Sequence, residues 1–220
     1  MNQNGGNTLL IATMGFTVDF IIRRIADIKR EENVHRLMAV GLDAGDGMWR
    51  RVEQTYSLLS TYLTSINVES SLHRLEITPT LIPEARDIIA LGLAEAGEGD
   101  VELFLTGGPR MLVVAMLLAA MSLRGSEARR IRVVSYGEGF PGSIKARLHH
   151  ITVLHRLDDK SRAILEALRE GSRTPDELRR RTGLKRSTLY MKLEDLRREG
   201  LIVSEGRGRW SVHPDLVNYL

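Results

Sequence analysis

No cysteine occurs in the 220 residues, so disulfides and cysteine-ligated metal sites are excluded. Long apolar runs are missing too, and the most apolar segment, Met111–Met121, is too short to span a bilayer. The stretch Met1–Asn7 is polar and glycine-containing, unlike a signal peptide, and a cytoplasmic protein is expected. The chain also lacks G-x-G-x-x-G after its first apolar run, where a dinucleotide enzyme wants it. Only Gly15 stands there. No Ser–His–Asp order and no carboxylate pair stands out. His149 and His150 are adjacent, and neighbours on a strand point to opposite faces, which argues against a shared metal.

Net charge is small but unevenly placed. Residues 1–157 carry 17 Lys+Arg and 17 Asp+Glu, which cancel, whereas 158–220 carry 14 and 11. Within Gly171–His213 the counts are 11 and 6. A basic module joined to a neutral one points to nucleic acid as the partner of the C-terminal part. The length allows two modest domains, and a polar break at Leu157-Asp158-Asp159 divides them into 1–157 and 158–220.

The first of these alternates strand and helix patterns. Apolar runs at Thr8–Thr13, Arg36–Leu42, Leu72–Ile77, Val101–Leu105, Ile131–Tyr136 and Ile151–His155 read as six strands. Helical periods lie between them, at Val18–Arg30, Trp49–Ile66 and from Pro79 or Pro83 to about Ala96. Leu112–Leu123 is almost wholly apolar, which predicts a helix buried on most sides. The pattern predicts an α/β fold: a Rossmann-like, mostly parallel sheet with helices on both faces. Ligands in such sheets collect at the carboxyl ends of the strands.

One stretch looks built for an anion: Val101–Leu105, then Thr106-Gly107-Gly108-Pro109-Arg110-Met111. The glycines let backbone N–H groups approach a ligand, and Pro109 fits the first turn of a helix. Arg110 then sits at a helix N-terminus, which already favours negative charge. A tight turn with no ligand is the competing reading. Thr13, Thr17 and Thr106 offer hydroxyls to phosphates or sugars. Asp43, after the second strand, is near a ribose-reading place but also suits a turn cap.

The C-terminal part reads as three helices and a hairpin, with Asp159 as a cap for the first. Thr174-Pro175-Asp176-Glu177 has the spacing of a capping box. A third helix follows from Lys185 to Glu199, with Leu189, Leu193 and Leu196 inward. Leu201–Glu205 and Arg209–Val212 flank Gly206-Arg207-Gly208 as a wing. The segment Gly183–Ile202 resembles the recognition region of winged helix-turn-helix transcription regulators. That resemblance implies groove-facing Lys185, Arg186, Ser187, Thr188, Tyr190 and Met191. Arg207 and Arg209 would reach phosphates or the minor groove from the wing. A protein-interaction winged helix with a solvated basic face is the alternative.

Thr13-Met-Gly-Phe-Thr17, Thr106-Gly-Gly-Pro-Arg-Met111 and the order of the two domains together resemble the archaeal CRISPR-associated Rossmann-fold (CARF) regulators with a winged helix. The resemblance implies a homodimer that binds a cyclic oligoadenylate, typically cyclic tetra-adenylate, across its two-fold axis. Thr13, Met14, Gly15 and Phe16 match the first ligand loop. Thr106, Gly107, Gly108, Pro109 and Arg110 match the second, where proline is a less usual occupant. It implies transcription control of CRISPR-associated genes through double-stranded DNA, a promoter or CRISPR leader, in antiviral defence. No cofactor, metal or membrane partner is expected. An enzyme is not expected either, although some relatives slowly cleave their ligand. Two alternatives stay open: a ring nuclease that degrades the cyclic oligoadenylate, and a winged-helix regulator whose α/β domain only dimerises.

Overall fold

Leu9 and Ile11 face one side of the first strand, Leu10, Ala12 and Met14 the other, and all five are fully buried. This period-two pattern makes β1 (Asn7–Met14) the middle of a sheet covered on both faces. The structure is a computed structural model that describes residues 7–30, 33–45, 47–137, 139, 142–206 and 208–216. The chain divides into two compact units, Met1–Leu148 and His149–Leu220.

The first unit continues through α1 (Asp19–Ile28), β2 (Asn33–Asp43), α2 (Met48–Ser65), β3 (Glu69–Glu76) and α3 (Leu81–Glu95). Then come β4 (Val101–Phe104), α4 (Arg110–Met121), the single turn α5 (Ser126–Arg129), β5 (Ile131–Tyr136) and β6 (Ser143–Arg147). Strand order is β3-β2-β1-β4-β5-β6. The first five run parallel, with Leu9 to Ala12 of β1 beside Val101 to Phe104 of β4, and β6 returns antiparallel to β5. This is the expected Rossmann-like sheet. From β1 the chain winds outward through β2 and β3, then crosses to β4 and β5 on the other side. Right-handed crossovers therefore put α1 and α2 on one face and α3 and α4 on the other. Ile21, Ile25, Val52, Leu59 and Leu63 pack with Leu10, Ala12 and Phe104. Ala85, Ile89, Leu112, Ala115, Met116 and Ala119 pack with Leu9, Ile11 and Leu103.

Two expectations are corrected here. The sixth strand is Ser143–Arg147, and Ile151–His155 is not a strand: α6 spans Leu148–Leu154. An edge strand needs no continuous apolar run, and Ile144 is exposed on it, so this one carried no hydrophobic signal. The β-branched Ile151 and Val153 imitated one. Val153 and Leu154 instead pack on the second unit's core, which explains why that unit starts before the polar Asp158-Asp159 break. The second correction concerns α4. Its inner side is buried, but Met111, Val114, Leu118 and Met121 are 44–53% exposed, an apolar stripe along its outer side.

The second unit adds α7 (Asp159–Arg169), α8 (Pro175–Thr182), α9 (Arg186–Arg198) and the hairpin β7 (Ile202–Ser204) and β8 (Trp210–Val212). A short 3-10 turn, Pro214–Leu216, follows. Ile164, Leu168, Leu178, Leu189, Leu193, Leu196 and Ile202 form its core. The cap of α7 is Asp158, not Asp159: its carboxylate accepts from the Ser161 N–H at 2.8 Å. The capping box of α8 is present, with the Thr174 N–H donating to Glu177 Oε2 at 2.7 Å and the Glu177 N–H to Thr174 Oγ1 at 3.4 Å. Gly183 closes α8 at φ +67°, and Pro175 occupies its first position.

Candidate functional site

The strand order reverses between β1 and β4, so the loops leaving their carboxyl ends flank the switch-point crevice. These are the two loops singled out in the sequence. They meet backbone to backbone. A Cβ built on Gly15 would lie 2.9 Å from Gly108 Cα, and one built on Gly108 would lie 3.0 Å from the Met14 carbonyl oxygen. Only glycine at both places allows that approach. Gly107 and Gly108 also hold φ of +97° and +79°, which side chains rarely adopt.

The threonines do a different job from the one expected of them. Thr13 is fully buried and its hydroxyl donates to the Phe104 carbonyl at 3.4 Å. Thr106 is buried, and its hydroxyl accepts from the Tyr136 N–H at 2.7 Å. Both hydroxyls thus tie neighbouring strands together, and Thr17 is the exposed one. Met14 is buried beneath the loop, and Phe16 is exposed with the Arg51 guanidinium 4.1 Å from its ring centre. Pro109 sits at the cap of α4, one residue ahead of the expected first turn, with φ −61° and ψ 139°. Its carbonyl accepts from the N–H groups of Leu112 and Val113. The N–H groups of Arg110 and Met111 lie ahead of that first ring, at the positive end of the helix dipole, and the Arg110 side chain is exposed. Asp43 accepts from the Gly45 N–H at 2.9 Å and pairs with Arg74, so it caps its own turn.

A buried charge pair under the crevice was missed in the sequence. Glu102 of β4 is fully buried and takes a two-pronged contact from Arg24 of α1, both bonds 2.5 Å. Burial works against the Arg24 charge, but the Glu102 hydrogen bonds and charge outweigh it and hold the guanidinium ionised. The Tyr136 hydroxyl donates to Asp27 at 2.5 Å beside this pair, and burial followed by that bond raises its pKa. A glutamate between valine and leucine in a strand buried on both faces was the available signal.

In the second unit, Lys185, Arg186, Ser187, Tyr190 and Met191 are exposed along one side of α9 and Thr188 is half-buried, while Leu189 turns inward. The Arg186 guanidinium lies 5.7 Å from the Tyr190 ring centre. Arg209 is not extended from the wing: it donates to the Ser172 carbonyl at 2.6 Å and to the Ser172 hydroxyl oxygen at 3.2 Å. Arg207 lies outside the described residues. Lys192 pairs with Asp158 at 2.6 Å, pinning α9 to the start of α7, and with the Ser161 N–H it holds the Asp158 carboxyl well below the ordinary carboxylate range. His149 and His150 lie on a helix, His149 within 2.9 Å of Glu199 and the His150 ring 5.3 Å from that of His213.

Residues 8–145 match the family model of the Csa3 CRISPR-associated Rossmann-like domain. The chain belongs to that family. Residues 157–205 match a helix-turn-helix domain, in agreement with the winged-helix unit. No curated protein matches the chain. The family and the second domain make this a CRISPR-associated DNA-binding regulator. Among the described residues no helix is long and apolar enough to cross a membrane.

Proposed function

We propose that the chain is a dimeric transcription regulator of CRISPR-associated genes that senses a cyclic oligoadenylate, with cyclic tetra-adenylate the first to test, at its dimer interface. The observation that carries this reading is the meeting of two glycine turns at the switch point, with Arg110 and the N-terminus of α4 beside them. Backbone donors, a helix dipole and an exposed guanidinium suit phosphodiester groups. Thr13 and Thr106 support the site through their backbone, because their hydroxyls are engaged internally.

The exposed stripe of α4 supports the dimer. Met111, Val114, Leu118 and Met121 need a cover, and the stripe starts next to Arg110. A two-fold axis along it would bring two Arg110 residues and two pairs of loops toward one ligand, and a symmetric ring of phosphates has matching symmetry. The reading is of a binder and not a nuclease, because Thr13–Thr17 and Thr106–Arg110 contain neither carboxylate nor histidine to move a proton.

The ligand changes DNA affinity by binding one arrangement of the two winged helices better than another. A tenfold change requires about 1.4 kcal/mol of coupling. Calorimetry with cyclic tetra-adenylate tests the pocket: wild type binds and Arg110→Ala binds at least tenfold more weakly. Equal affinities remove Arg110 from the site, and no binding to wild type removes the ligand assignment.

A further inference from the structure

We propose that Phe16, in the loop after β1, and Arg51 of α2 form a stacking platform for an unpaired purine base. The platform rests on the oligoadenylate reading and adds the base to it: the glycine turns and Arg110 address phosphates, and adenine needs a contact of its own. Phe16 follows Gly15 directly, so the platform begins one residue from the contact with Gly108.

A lone exposed phenylalanine is ordinary on a protein surface, and three observations set this one apart. Its loop is fixed. A Cβ on Gly15 would meet the Gly108 backbone at 2.9 Å, and Met14 and Val18 on either side pack into the core. The Phe16 ring is nevertheless 41% exposed and joins neither core cluster of the sheet. Finally, the Arg51 guanidinium lies 4.1 Å from the ring centre.

Arg51 has no competing task. It is exposed, and among the described residues no carboxylate pairs with it. A neighbouring pair shows the contrast. Arg74 lies 5.5 Å from the Trp49 ring centre, but it is bound to Asp43 and Glu76. Trp49 packs on the core and its indole N–H donates to Glu53 at 2.8 Å. That pair is satisfied by its own protein, whereas Phe16 and Arg51 leave a ring and an unpaired cation to solvent.

A phosphate alone would use the Arg51 charge and leave the phenyl ring idle. A base uses both, because its π-face stacks on aromatic rings and on guanidinium planes alike, and unpaired bases are held in this way. In a two-fold dimer the platform occurs twice, once for each half of a symmetric ring.

Calorimetry of the full chain with cyclic tetra-adenylate tests the platform. Phe16→Leu keeps apolar bulk and removes the π-face, and it is expected to weaken binding about tenfold or more, whereas Phe16→Trp keeps wild-type affinity. Arg51→Lys keeps the charge and removes the plane, and is expected to weaken binding to a similar degree. Both side chains are exposed, and matching thermal melts show that the variants are folded. Wild-type affinity in either Phe16→Leu or Arg51→Lys overturns the platform and leaves the oligoadenylate reading in place. Equal loss in Phe16→Leu and Phe16→Trp also overturns it, because the shape of the loop and not stacking then sets affinity. No binding by wild type is failure of the oligoadenylate reading itself, and the platform falls with it.

Discussion

Gly15 and Gly108 stand so close that a methyl on Gly15 would come within 2.9 Å of the Gly108 Cα. The obstacle is backbone, which cannot swing aside as a side chain can. Gly15→Ala therefore forces the loops after β1 and β4 apart. The expected cost is about 1–3 kcal/mol of stability, as for other overpacked sites, read by urea denaturation. An unchanged midpoint contradicts the packing of the two turns.

Glu102 and Arg24 form the pair that lies beneath those turns. Glu102→Leu leaves a guanidinium buried without its partner, and about 3–5 kcal/mol of stability is expected to go. Replacing both, Arg24→Met with Glu102→Leu, is expected to recover most of that loss, since the uncompensated charge goes too. Denaturation of the two variants checks it, and equal destabilisation by the single and double changes contradicts the account.

Asp158 gives the winged helix a pH dependence. Lys192 and the Ser161 N–H favour its ionised form, so its pKa is lower in the folded state than the ordinary 3.8. A depressed carboxylate pKa contributes stability above the unfolded value, and that contribution is lost as pH falls through the folded value. Thermal melts of the full chain are expected to lose stability below about pH 4. Asp158→Asn is expected to be less stable at pH 7 and to lose less on acidification. Parallel pH profiles for the two proteins contradict the role of Asp158.

On α9 and the wing, two arginines are expected to behave differently. Arg186→Ala, with Tyr190→Ala beside it, removes exposed groups and is expected to abolish sequence-selective retardation of DNA while leaving the melting temperature nearly unchanged. Arg209→Ala removes the clamp on Ser172 and is expected to lower the melting temperature more than it lowers selectivity. The reverse pattern would move the DNA contact from the helix to the wing.

The sheet was legible because buried parallel strands read as apolar runs: Thr8–Thr13 and Arg36–Leu42 lie within the observed β1 and β2, and Ile131–Tyr136 coincides with β5. The capping box at Thr174 was legible because its chemistry is local. What failed was non-local. The edge strand Ser143–Arg147 carries no apolar run, and the fate of Ile151 and Val153 depends on which core they reach. The two glycine turns could be named from the sequence, but their contact needs β1 and β4 to be neighbours, which strand order decides. The inward aim of the Thr13 and Thr106 hydroxyls depends on the same pairing.

On the proposed reading, a cyclic oligoadenylate at the Gly15–Gly108 crevice controls DNA binding by the winged helix. The most direct measurement is gel retardation on a promoter of CRISPR-associated genes, with and without cyclic tetra-adenylate, for wild type and Arg110→Ala. The ligand is expected to shift wild-type affinity about tenfold or more, whereas Arg110→Ala is expected to bind the promoter as wild type does but to shift little. Wild-type affinity that is the same with and without saturating ligand would contradict it.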